Sequence, residues 1–162
     1  MTLPVLEKIF GFVRVKHIMD PEAVTIGQDE DLSLAALKFN AHRVSHLVVV
    51  DGKQRVVGTI SHKYLYRTLS PRKLLNQQMS LNPDFVLDGD AYYEKESLNQ
   101  FILKWMMKSD PLTLRPGEPA VKAVGAMARF NLGCIPVVDK QHRVLGIVTE
   151  REIVKYAARV LK

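Results

Sequence analysis

At 162 residues, 47% apolar and 25% charged, the chain can bury a core and does not have the composition of a disordered protein. No apolar run approaches the roughly 18–20 residues of a membrane span. The +6 formal charge is scattered over Arg14, Lys16, Arg43, Arg67, Arg72, Lys73, Arg129, Arg151 and Arg159 without a run of five. That argues against a recognition helix or an aromatic-basic RNA platform.

In chain order, apolar residues at 6, 9, 10 and 13 behind Pro4 predict a leading helix over 4–13. Glu7 and Lys8 interrupt this stretch and no cleavage site follows, so a signal peptide is not expected. Met19-Asp20-Pro21 reads as a turn and Val24-Thr25-Ile26 as a short strand. Asp29 to Asp31 is an acidic helix start, with Leu32, Ala35, Ala36 and Phe39 as the buried stripe. His46 leads into a strand over 47–50, Asp51-Gly52 is a turn, and a strand over 55–60 precedes a helix over 62–69.

The middle of the chain holds a helix start at Ser70-Pro71 and turns at Asn82-Pro83 and Asp88-Gly89-Asp90. Ser97 and Gln100 fit a capping box. Leu98, Phe101, Ile102, Trp105 and Met106 then predict an amphipathic helix suited to a dimer or inter-repeat surface. Leu112-Thr113-Leu114 is a short strand, and Arg115 to Pro119 turns into a helix with Ala120, Ala123, Val124 and Met127 buried. Strands over 135–138 and 143–148 lead to a closing helix whose apolar side is Ile153, Val154, Ala157 and Leu161. Cys134, the single cysteine, cannot form an internal disulfide. It suits a reducing cytoplasm and is read as a small core residue.

The second half repeats the first at an offset of 88 positions without a gap. Residues 19–65 and 107–153 share about ten identities, and most other apolar positions stay apolar. Two copies are too few for a solenoid, so they are expected to pack about a pseudo-twofold axis with two related clefts between them. The fold class is α/β (α+β), each repeat running β-α-β-β-α.

The residues that carry this duplication resemble a tandem pair of cystathionine-β-synthase (CBS) domains, a Bateman module. In repeat one these are His17-Ile18-Met19, Val24-Thr25-Ile26, Leu47 to Asp51 and Gly58 to Ser61. In repeat two they are Trp105-Met106-Met107, Leu112-Thr113-Leu114, Ile135 to Asp139 and Gly146 to Thr149. The resemblance covers about three quarters of the chain. It implies an N-terminal helix over 1–14, CBS repeat one over 15–70, a connecting insert over 71–97 and CBS repeat two over 98–162.

The resemblance also implies clefts that bind AMP, ADP, ATP or S-adenosyl compounds. The family signature is Gly-h-x-Ser/Thr-x-x-Asp, h being apolar; its hydroxyl meets phosphate at a helix start and its aspartate holds the ribose hydroxyls. Repeat two reads Gly146-Ile147-Val148-Thr149-Glu150-Arg151-Glu152, keeping the hydroxyl and replacing aspartate with the longer Glu152. Repeat one reads Gly58-Thr59-Ile60-Ser61-His62-Lys63-Tyr64 and lacks the carboxylate, so one competent cleft is expected, near Thr149 and Glu152. By the same resemblance Thr25 and Thr113 lie near the base, and Leu47, Val48, Ile135 and Pro136 form an apolar wall. His46 stands where some members place a phosphate-contacting basic residue, and Cys134 replaces it in repeat two.

Plainer readings stand beside these. Ser61 and Thr149 are good helix caps whatever is bound, Glu152 suits a helix first turn, and Gly58 and Gly146 mark close backbone approach. His17, His42, His46 and His62 lack metal-site spacing, as do the acids from Asp84 to Glu96. No GxSxG, Walker, HExxH or dinucleotide motif is present, so the chain is not read as an enzyme. The expectation is a stand-alone regulatory module that binds an adenine nucleotide or adenosyl ligand in the inter-repeat cleft. It would act in the cytoplasm, as a homodimer, on an unidentified regulated protein. A ligand-free dimerisation or protein-interaction module is the alternative, and nucleic-acid binding through the basic surface a second.

Overall fold

The computed structural model describes residues 12–64, 85–88, 91–94 and 103–160, and side chains within 12–64 and 103–160. The expected leading helix up to residue 11, the turn at Asn82-Pro83, the capping box, the helix positions 98–102 and Leu161 lie outside the described residues. Two compact units divide the chain. One, the repeat-one unit, holds residues 24–49 and 58–109; the other, the repeat-two unit, holds residues up to 23, 50–57 and from 110 onward.

In the repeat-one unit, β1 (Thr25–Gly27), β2 (His46–Val50), β3 (Val56–Ser61) and β6 (Lys108–Ser109) form one sheet in the order β1-β2-β3-β6. The helix α2 (Leu32–His42) starts where Asp31 accepts hydrogen bonds from the Leu34 N–H at 3.0 Å and the Ser33 hydroxyl at 2.6 Å. Those bonds, the Ser33 hydroxyl first, hold the Asp31 carboxyl below its ordinary value. The predicted stripe is buried at Leu32, Ala35, Ala36 and Phe39. The helix ends on Arg43 in the left-handed region, φ 52°. Residues 62–64 are helical after β3. Farther along, β4 (Phe85–Asp88) and β5 (Ala91–Glu94) pair antiparallel as a separate hairpin.

In the repeat-two unit, β7 (Cys134–Val138) and β8 (Val144–Thr149) pair antiparallel, Cys134 opposite Thr149 and Val137 opposite Gly146. The strand expected over 112–114 is reduced to Leu114, which bridges Val137 in parallel. The physical reason lies on both sides: Pro111 has no N–H, and the Arg115 N–H turns away to the Glu118 carboxylate at 2.7 Å. Helix α3 (Ala120–Phe130) buries Ala120, Ala123 and Met127, and ends on Asn131 at φ 51°, 88 residues after Arg43. Helix α4 (Glu150–Val160) has no fully buried residue. Ile153 and Tyr156 pack on the core, while Val154, expected on the apolar side, is 67% exposed. At about 100° per residue, Val154 points about a quarter-turn away from Ile153, which packs on the core.

Each unit borrows the segment that leads into the other repeat. A single helical turn, α1 (Val15–Ile18), belongs to the repeat-two unit. There the Val15 and Lys16 N–H groups donate to the Glu118 and Pro116 carbonyls at 2.9 and 3.0 Å, and Ala120 N–H donates to Val13 O at 2.8 Å. Asp20 and Ile147 exchange two backbone bonds at 2.8 and 2.9 Å. The repeat-one unit shows the same contacts 88 positions on. A 3-10 turn at Leu103–Trp105 sends the Leu103 and Lys104 N–H groups to the Glu30 and Gln28 carbonyls at 2.9 and 3.0 Å, and Lys108 pairs with Thr59. Val15 and Leu103 are both fully buried. The amphipathic helix expected to run through Trp105 and Met106 is, at its described end, this 3-10 turn, and Trp105 is 79% exposed.

These crossings explain Gly58 and Gly146. A Cβ on Gly146 would lie 2.6 Å from Asp20 O and 3.2 Å from Met19 Sδ. On Gly58 it would run into Met107 Sδ and lie 3.1 Å from Lys108 O. The hairpin tips match as well. Asp51 Oδ1 accepts from the Lys53 and Arg55 N–H groups, and Oδ2 from Arg55 Nε at 2.8 Å; Asp139 does the same with Gln141 and Arg143. Gln54 and His142, at φ 61° and 66°, close the turns. Arg55 and Arg143 bridge each other antiparallel within the repeat-two unit.

Candidate functional site

In the repeat-two unit, Thr149 is the last residue of β8 and α4 begins at Glu150. One turn on, Glu152 Oε2 accepts a hydrogen bond from the Thr149 hydroxyl, and its Oε1 lies 3.1 Å from Lys155 Nζ. The Glu152 side chain is 11% exposed and that of Lys155 55%. Thr113 is placed beside β7 because the next residue, Leu114, donates its N–H to Pro136 O at 3.1 Å. Ile135 and Pro136 follow Cys134, which faces Thr149 across the ladder. Thr113, Ile135, Pro136, Thr149 and Glu152 therefore come to one end of the β7–β8 pair.

Several predicted residues serve the core in this fold. Ile135, Leu47 and Val48 are fully buried, as is Pro136. Gly146 sits under the Asp20 carbonyl. Cys134 is half-buried at the strand end rather than inside the core.

In the repeat-one unit, Thr25 lies in β1 and its carbonyl accepts from Lys38 Nζ at 2.9 Å. His46 is the first residue of β2, half-buried, and has left α2, which ends at His42. Ser61 ends β3, and His62 N–H donates to Ser45 O at 2.8 Å while its ring tilts against Phe39 at 5.2 Å. Tyr64 is half-buried in the helical residues after Ser61. Thr25, His46, Ser61 and Gly58 thus all fall in this unit, and Thr113, Thr149, Glu152 and Gly146 in the other. Lys38 and Lys155 escaped the sequence reading. Lys155 was signalled by its i,i+3 spacing from Glu152, whereas nothing local signals Lys38. Among the described residues, no group of three or more His, Cys, Asp or Glu side chains could hold a metal ion. Nor, among them, is any helix long and apolar enough to cross a membrane.

The CBS domain family profile matches residues 15–71 and 102–159. The chain belongs to the CBS domain family. This CBS pair is a regulatory module built of two β-α-β-β-α-like repeats. A CBS domain-containing protein of Dictyostelium discoideum is 30% identical over 151 residues, 93% of this chain and 94% of that protein. The CBS domain pair of protein MJ0100, solved with 5′-methylthioadenosine and S-adenosyl-L-methionine, superposes with a TM-score of 0.67 at 24% identity, over 91% of this chain and 98% of that one. The protein CBSX2, solved with AMP, gives 0.68 at 18% identity over 92% and 98%. Other relatives are larger: the CBS pair spans about a quarter of a homoserine O-acetyltransferase of Methanohalobium evestigatum.

Proposed function

We propose that this CBS pair binds an adenine nucleotide or S-adenosyl compound at the Thr149–Glu152 end of repeat two. The bound state would signal through conformation or homodimer geometry to a regulated protein in the cytoplasm. The observation that carries this is the meeting of a hydroxyl and a carboxylate, one turn apart, at the start of α4 beside Thr113 and Pro136. A hydroxyl at a helix start can donate to phosphate next to unpaired backbone N–H groups, and a carboxylate can accept two vicinal ribose hydroxyls. The adenosine-based ligands of the MJ0100 pair and of CBSX2 support the ligand class. Ligand shifts the module only through unequal affinity for two states.

Thermal melts with AMP, ADP, ATP, 5′-methylthioadenosine and S-adenosylmethionine test the reading. A ligand at 100 times its Kd stabilises by about 2.7 kcal/mol, a readily measured rise. No rise from any of the five at millimolar concentration refutes it. Tyr64, standing where repeat one would need a carboxylate, favours the second reading of a ligand-free interaction module. That reading predicts a concentration-dependent dimer, by sedimentation, that is indifferent to all five ligands.

A further inference from the structure

Both carboxylate oxygens of Glu152 are already engaged, one by the Thr149 hydroxyl and the other by the Lys155 ammonium. A phosphate that takes the Thr149 hydroxyl must replace this carboxylate as its acceptor and stay close to it. Two anions a few ångströms apart repel, and Glu150, exposed in the same first turn of α4, adds a second negative charge. Left alone, this arrangement would favour an uncharged ribosyl ligand and reject a phosphorylated one.

Lys155 alters that balance. It sits three residues after Glu152 on the same helix, in the order that supports such pairs, so it remains beside the carboxylate when Thr149 turns away. Its side chain is more than half exposed, and an ammonium has three donors, of which Glu152 takes one. In repeat one the matching positions, Ser61 and Tyr64, hold no carboxylate to neutralise, so this compensation belongs to repeat two.

We infer that Lys155 is the specificity-determining residue that lets the Thr149 site accept phosphorylated adenosine ligands in preference to uncharged ones. The inference rests on the proposed function. When phosphate takes the Thr149 hydroxyl, Glu152 keeps Lys155 on Oε1 and offers Oε2 to a ribose hydroxyl.

Calorimetric titration of AMP and 5′-methylthioadenosine into the wild type, Lys155→Met and Lys155→Arg tests it. Lys155→Met is expected to weaken AMP about fivefold, the size of one partly screened charge pair, and to leave 5′-methylthioadenosine within about twofold. Lys155→Arg restores AMP. Added salt erodes the wild type's preference for AMP, whereas in Lys155→Met it screens the repulsion from Glu150 and Glu152 and does not weaken AMP. The pair is on the surface, so Lys155→Met should melt within about 2 °C of the wild type. An unchanged AMP to 5′-methylthioadenosine ratio, or equal weakening of both, overturns the inference while the proposed function stands. A wild type that binds neither ligand overturns the inference, and silence toward all five ligands overturns the proposed function as well.

Discussion

Gly146→Ala should destabilise the repeat-two unit more than Gly58→Ala destabilises the other. No left-handed φ is involved at either glycine, so the cost comes from contact alone. At Gly146 the new Cβ would stand 2.6 Å from Asp20 O and 3.3 Å from its carbonyl carbon. That carbonyl is pinned by the Ile147 N–H at 2.9 Å, and the Asp20 N–H by Ile147 O at 2.8 Å. Relief requires the backbone to lift, weakening two hydrogen bonds worth about 1 kcal/mol each and adding an overpacking cost of about 1–3 kcal/mol. The sum is roughly 3 kcal/mol, or a fall of about 6–12 °C in Tm for a chain of this size. At Gly58 the nearest atoms are Met107 Sδ and Cγ, the end of a flexible side chain, with Lys108 O at 3.1 Å. Rotation of Met107 removes most of that clash, so about 1–2 kcal/mol is expected. Urea unfolding of both variants measures the order. A Gly146→Ala protein within about 0.5 kcal/mol of the wild type, or a larger loss at Gly58, would refute the crossed lead-in segments as the reason for these glycines.

Leu103→Ala should cost about 2–5 kcal/mol by urea unfolding, because Leu103 is fully buried within the repeat-one unit, where its N–H donates to Glu30 O. Asp31→Ala should cost about 1 kcal/mol by removing the α2 cap, measured the same way. Asp51, Asp139, Asp31 and Glu118 are all held below the ordinary carboxylate range, the first two chiefly by the Arg55 and Arg143 backbone N–H groups, and Glu118 by that of Arg115. Each binds its proton less tightly folded than unfolded. Their contribution is therefore complete above the unfolded carboxylate values near pH 4 and is lost as pH falls below them. Melts from about pH 6 down to about pH 3 should show this decline, and Asp139→Asn should make it shallower; an equally steep acid limb contradicts the turn clasp.

The helix stripes were legible because their signal is local: Leu32, Ala35, Ala36 and Phe39 recur at helical spacing and all turn inward. Both hairpins were legible for the same reason, since Asp51 and Asp139 each organise a turn with residues two and four positions on. The short strand at 112–114 failed where another group competed, since Glu118 captured the Arg115 N–H. The placing of Val154 failed on helix geometry, since it follows core-facing Ile153 by about a quarter-turn. The crossing of the lead-in segments left no periodic trace. Its one signal was that Met19 and Gly58 recur as Met107 and Gly146, yet spacing does not say that each methionine packs on the other repeat's glycine. At the site, Thr149 and Glu152 were found from a motif, and their contact with each other required coordinates. Burial of Ile135 and Pro136 shows that an apolar strand before a turn reads as core and as ligand wall alike.

The most direct test of the account is calorimetric titration of AMP into the wild type and Thr149→Val. Saturable binding to the wild type, weakened at least about tenfold in a folded Thr149→Val protein, is the predicted result. Equal affinity in the two proteins would contradict a phosphate held by the hydroxyl at the start of α4.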